Sequence, residues 1–248
     1  MNIVSNFFRK IYLVIFCREP IYNSIKKETS FLFLNAFWDT CKITFSSCFC
    51  AFFAGLSLGV YLYLLRLNNN KKKYFFFNGI INVFISIPYL LLVILIISLF
   101  LGPYFEIYYG FKAGLICLTL ILTIIFARNC EQLFLQLNQE LYKTAYTLGA
   151  NKKQFVILFL LKEARSPLIL KLNSLFISSL AYSNVLPMIG VNGIFSITYN
   201  YGYQAQFNLD NQEINNIDLI WVPTLLIFLL VQIINLIFNY IAKKLDKN

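Results

Sequence analysis

The segment from Lys143 to Pro167, KTAYTLGANKKQFVILFLLKEARSP, is where this chain gathers groups able to engage a partner. Lys143, Lys152, Lys153, Lys162 and Arg165 supply positive charge, Glu163 supplies negative charge, and Gly149 interrupts the middle. The chemistry that suits such a pattern is docking by charge and shape, with no bond made or broken. Bond-making groups are scarce elsewhere. There is no histidine, which removes the commonest general base and metal ligand. Cys17, Cys41, Cys48, Cys50, Cys117 and Cys130 lie mostly in apolar runs and form no CxxC pair. They read as small packed hydrophobes, and no metal site or catalytic group is expected. No G-x-x-x-x-G-K-[ST] loop is present to cradle a nucleotide phosphate, so nucleotide energy would have to arrive through another polypeptide.

The elements that hold this segment can be read from periodicity and caps. From Glu131 to Leu148, apolar Leu133, Leu137, Leu141, Ala145 and Leu148 recur at three- and four-residue steps, which predicts a helix. Gly149 should end it, since glycine takes the left-handed closing conformation at little cost. Asn151 is a good N-cap for a second helix, and Gln154 three residues on completes a capping box. Pro167 then opens the next apolar stretch. Periodicity alone leaves two readings open: a docking element, or an amphipathic loop that merely covers its neighbours.

Those neighbours cross a membrane. Of 248 residues, 59% are hydrophobic and 13% charged, with a mean hydropathy of +0.68. Several runs exceed the roughly 18–20 apolar residues that a hydrocarbon core requires. Continuous runs, rather than short alternating ones, predict an all-α polytopic bundle. Five core spans are expected, at about 36–65, 75–101, 111–126, 167–188 and 217–242. Gly55 and Gly59 in the first permit close helix contact. Pro88 and Pro187 remove backbone donors and should bend their spans.

The net charge of +10 fits membrane orientation better than nucleic-acid binding. Connections one and three and the C-terminal residues carry the Lys and Arg, and read as cytoplasmic. The connection from Ile189 to Asn216 has none and reads as external. Residues 1–35 disagree, because Arg9, Lys10, Arg18, Lys26 and Lys27 would prefer the cytoplasm. This part is expected to be an interfacial amphipathic segment or an extra helix. The organisation is therefore 1–35, a transmembrane domain over 36–245 with its cytoplasmic loop at about 140–165, and a tail at 246–248.

At Lys143-Thr144-Ala145, then Gly149-Ala150, then Leu161 and Glu163-Ala164, the loop resembles the EAA-type coupling loop of bacterial ABC importer permeases. Further motifs resemble the methionine-importer branch, in the right order. They are Phe84-Ile85-Ser86-Ile87-Pro88, Arg128-Asn129-Cys130-Glu131, Ala181-Tyr182-Ser183 with Gly190-Val191-Asn192-Gly193, and Tyr199-Asn200-Tyr201-Gly202-Tyr203. The resemblance implies a multi-pass protein of the bacterial inner membrane that acts as two copies. Its partners would be two cytoplasmic ATPase subunits, which hold ATP and Mg, and an external substrate-binding lipoprotein. Lipid surrounds it, and the chain itself binds no cofactor. The translocation path and gate would involve Ser86, Pro88, Ser183, Asn184 and Val185, with Thr119, Thr123, Ser178 and Ser179 as further polar candidates. Departures stand out. Lys143 replaces the family's glutamate, Lys162 its proline, Ile85 its arginine, and Asn192 and Phe195 two of its glycines. The alternatives are a permease for another amino acid or small solute, or an ion-driven transporter or channel. The latter would need ionisable groups deep in the spans.

Overall fold

The computed structural model describes residues 3–17, 31–138, 140–204 and 214–246, so Arg18, Lys26, Lys27, Asp210, Glu213 and Lys247 lie outside the described residues. The described chain is a bundle of helices. Helix α1 (Ile3–Ile15) is followed by α2 (Leu32–Leu67). Then come α3 (Lys71–Ser86), α4 (Tyr89–Phe105) and α5 (Phe111–Gln136). The loop contributes α6 (Glu140–Thr147) and α7 (residues 152–163, with a wide π turn at Phe155–Leu160). Helix α8 (Arg165–Ser183), a 3-10 turn at Leu186–Ile189, α9 (residues 194–203) and α10 (Asp218–Leu245) complete the order.

Apolar length makes the spans, and polar side chains inside them are consumed locally. On α2 the buried hydroxyls of Thr40, Thr44 and Ser47 donate to the carbonyls of Ala36, Thr40 and Ile43. That pattern satisfies a hydroxyl where no water can. Helices α2 and α5 touch backbone to backbone. A Cβ on Gly55 would lie 2.9 Å from the Thr123 carbonyl oxygen, and one on Gly59 would lie 2.7 Å from the Cys130 Cβ. The paired glycines therefore do what small-residue spacing permits. Buried Leu118, Leu122, Phe126, Phe134, Leu175 and Leu186 fill the main core beside them.

Among the described residues, three helices are long and apolar enough to cross a membrane: α2, α5 and α10. A fourth crossing exists only if α3 and α4 count as one span, and they are bent by 108° at Ile87–Pro88. The expected second span is thus not one straight helix but two apolar helices meeting at a sharp bend. Ile87 is extended (ψ 129°), as a residue before proline prefers, and Pro88 starts the new helix. The expected fourth span corresponds to α8, which stops at Ser183 and carries Arg165, Lys171 and Asn173, so it falls short of that standard. Pro187 bends no span, because it sits in the turn beyond the end of α8.

The two ends of the bundle differ. One collects Arg66, Lys71, the α6–α7 loop and the end of α10, where Ser166 donates to the Ala242 carbonyl at 3.0 Å. The other collects α1, the start of α2, the Leu186–Ile189 turn, α9 and the start of α10. Gly110 N–H there donates to the Ile189 carbonyl at 2.8 Å. Helix α1, roughly 20 Å long at 1.5 Å per residue, is too short to span. Val14, with Cys17 just beyond the helix end, joins Leu32, Phe33, Leu219 and Val222 in a second buried cluster. This puts Lys10 on the end away from the basic coupling loop. The reason is a specific partner, Asp218, whose two oxygens each lie 2.9 Å from the Lys10 Nζ.

Candidate functional site

The loop closes on itself by local hydrogen bonds. Gly149 takes φ +73°, and its N–H donates to the Tyr146 carbonyl while the Ala150 N–H donates to that of Ala145. These two bonds are the Schellman ending of a helix, and they need the left-handed residue between them. Across the turn, Gln154 N–H donates to Asn151 Oδ1 and Asn151 N–H donates to Gln154 Oε1, both at 2.9 Å. The second helix is thereby capped in both directions. Tyr142 packs edge-on against Phe155 with ring centroids 5.2 Å apart, which joins the two helices. Ala145, Phe155, Leu160 and Ala164 face the core.

The outer face of this element is open. Lys143, Thr144, Gly149 and Glu163 are exposed, and Ala150 and Leu161 are half-buried. Tyr146 and Leu148 stand 75% and 70% exposed beside Gly149, so apolar surface lies next to Lys152 and Lys153. The reversed charge at Lys143 meets Glu140, at 3.9 Å between two exposed groups. Such a pair contributes little and leaves both free to turn to another surface.

At the same end, Glu131 is buried and gathers three helices. It accepts from Tyr74 Oη at 2.7 Å and from Arg128 Nη1 at 3.0 Å, and Arg66 lies 4.0 Å away. Arg128 also donates to Asn78 Oδ1 and Asn82 Oδ1, both at 2.7 Å. Arg128 and Glu131 therefore tie α5 to α3. Sequence reasoning missed Tyr74, Asn78 and Asn82. The available signal was two amides four residues apart in an apolar run, facing an arginine that needed acceptors.

The path candidates divide. Ser183 is buried and donates to the Leu180 carbonyl, and Thr123 donates to that of Thr119. Ser179 is buried beside Ser47, with 3.5 Å between their oxygens. These three serve helix packing and helix-internal bonds. Ser86, Pro88 and Asn184 are exposed, and Val185 is half-buried just past the end of α8. Tyr89 and Tyr182 stack edge-on at 4.9 Å, which brings the break after Ser86 close to the end of α8. Asn173 Nδ2 donates to Asn235 Oδ1 at 2.6 Å and links α8 to α10, a contact not anticipated.

A bundle of apolar helices, one of them broken at a proline, with a capped helix–glycine–helix loop at its basic end, has the architecture of a transport permease. Residues 52–248 match the family of binding-protein-dependent transport system inner membrane components, and the chain belongs to that family. Its place is accordingly the bacterial inner membrane. The chain is 30% identical over 219 residues to the probable D-methionine transport system permease protein MetI of Haemophilus influenzae. That match covers 86% of this chain and 96% of the relative. It is 28% identical over 176 residues to the methionine import system permease protein MetP of Bacillus subtilis, covering 68% and 72% of the two chains. Among solved structures, an inward-facing MetNI methionine ABC transporter chain superposes with a TM-score of 0.79 at 28% identity. The superposition covers 87% of this chain and 97% of that one.

Proposed function

We propose that this chain is the translocating subunit of an ATP-driven methionine importer, working as two copies with two cytoplasmic ATPase subunits and an external binding lipoprotein. The observation that carries this is the loop. It is a pair of short helices closed at Gly149, stiff through its own hydrogen bonds and open on its outer face. An element that moves as a rigid body can pass a push from a partner into the bundle, whereas a slack linker would absorb it.

In this reading Lys143, Thr144, Gly149, Ala150, Leu161 and Glu163 meet the ATPase, while buried Ala145 and Ala164 seat the loop on the bundle. ATP and Mg act on the ATPase. Closure of the ATPase pair pulls on the two loops, and the bundle exchanges inward- and outward-open forms. The break at Ser86–Pro88 and the end of α8 at Ser183, Asn184 and Val185 shape the route, with Val185 as an apolar constriction that excludes ions by dewetting. The methionine assignment draws support from the named relatives.

The test is co-expression with a methionine-importer ATPase subunit from the same bacterium, followed by gentle extraction. The two should copurify, and membranes should import methionine only with ATP and the binding protein. A permease recovered alone, or methionine uptake undiminished when the gene is deleted, overturns the reading.

A further inference from the structure

The end of the bundle away from the coupling loop holds a polar cleft of about 550 Å³ between α2 and α9, within the usual size range of small-molecule sites. Trp38, Asp39 and Lys42 line one wall; Asn192, Ser196 and Asn200 line the other. We infer that this cleft binds a free α-amino acid as its zwitterion, before the solute enters the path. The inference rests on the importer reading above and adds a site to it.

Asp39 and Lys42 lie toward the end of α2 away from the coupling loop, on a 36-residue helix longer than a hydrocarbon core needs, so both charges can face the cleft. Their Oδ1 and Nζ atoms are 3.6 Å apart, and the side chains are 41% and 50% exposed. That separation exceeds the roughly 2.7–2.9 Å of a good charge-assisted hydrogen bond, so both keep bonding capacity. An α-amino acid carries its two charges on neighbouring atoms of one carbon, spaced much like this pair. Lys42 can take the carboxylate while Asp39 takes the ammonium. Lys42 Nζ lies over the Trp38 ring, 5.5 Å from its centroid, and the rest of the 60%-exposed ring is left for an apolar side chain.

The walls are fixed to one another. Buried Thr40 accepts the Ile194 N–H at 3.0 Å, and a Cβ on Gly193 would lie 2.8 Å from Thr40 Oγ1. Asn192 adds a side-chain amide to the second wall. An ethanolamine phospholipid headgroup is also zwitterionic, but its charges are separated by a longer linker than the Asp39–Lys42 spacing suits.

The experiment uses the full chain in nanodiscs of phosphatidylglycerol, with L-methionine followed by saturation-transfer NMR. Saturable binding is expected in the wild type. It should weaken at least tenfold in Asp39→Asn and in Lys42→Gln, and survive in Lys42→Arg. Size-exclusion elution and circular dichroism identify variants that misfold, and the assay reads only those that do not. No saturable binding, equal binding in all folded variants, or displacement by phosphoethanolamine but not by leucine or methionine overturns the site. Uptake by the complete transporter separates the two readings. Import of methionine with no binding at the cleft removes the site alone. Binding at the cleft with no methionine import removes the substrate assignment alone.

Discussion

The coupling loop and the cluster around Glu131 lie at the same end of the bundle but are held by opposite means. The loop closes through bonds between residues three to five positions apart. Glu131 and Arg128 instead reach Tyr74 and Asn78, 57 and 50 positions away. Local bonds make a piece that is stiff inside and free to shift as a unit. Long-range bonds to a buried charge fix helices against each other. The start of α10 repeats the second design, since Asp218 is 208 positions from Lys10 and also accepts from Trp221 Nε1 and the Asn215 N–H.

The comparison can be broken most forcefully at Glu131. Glu131→Ala takes the carboxylate from Tyr74 and Arg128, leaves Arg128 only its asparagine acceptors, and should cost about 3 kcal/mol, read as a lower unfolding temperature in detergent. Lys10→Ala leaves the Asp218 carboxylate with two donors and should cost about 2 kcal/mol. It should also expose α1 to added protease well before the bundle unfolds. Gly149→Val forces a β-branched residue to positive φ at a cost of about 1–2 kcal/mol, with no clash, because nothing lies within 4 Å of the added Cβ. ATP hydrolysis should continue while uptake falls, and Gly149→Asn should restore uptake. Asn151→Ala should cost about 1 kcal/mol and lower coupling slightly. If it destabilised the whole bundle as much as Glu131→Ala does, the loop would not be the separate unit described here.

What could be read from sequence follows the same division. Gly149, Asn151 and Gln154 announce the loop because helix endings and caps are decided within a few residues. Gly55 and Gly59 announce the close contact of α2, and Pro88 announces a bend, though not its 108° size. Glu131, one turn on, is legible as a partner for Arg128, but Asn78, Asn82 and the partners of Asp218 are hidden, since they depend on which helices end side by side. The expected fourth span ran past Ser183 because the apolar run continues to Met188, and periodicity does not register that the chain turns at Leu186–Ile189. The place of Lys10 is hidden for the same reason: a counting rule for lysines has no knowledge of one waiting carboxylate, Asp218.

The meeting of α2 with α5 limits how this machine can work. At Gly55 and Gly59 there is not space for a single methyl group between the two backbones. Helices so joined cannot slide or part without losing the fit over several turns, so they act as one beam. Whatever opens and shuts during a transport cycle must hinge elsewhere. The joint at Pro88, where two apolar helices already meet at 108°, is the place with slack to give.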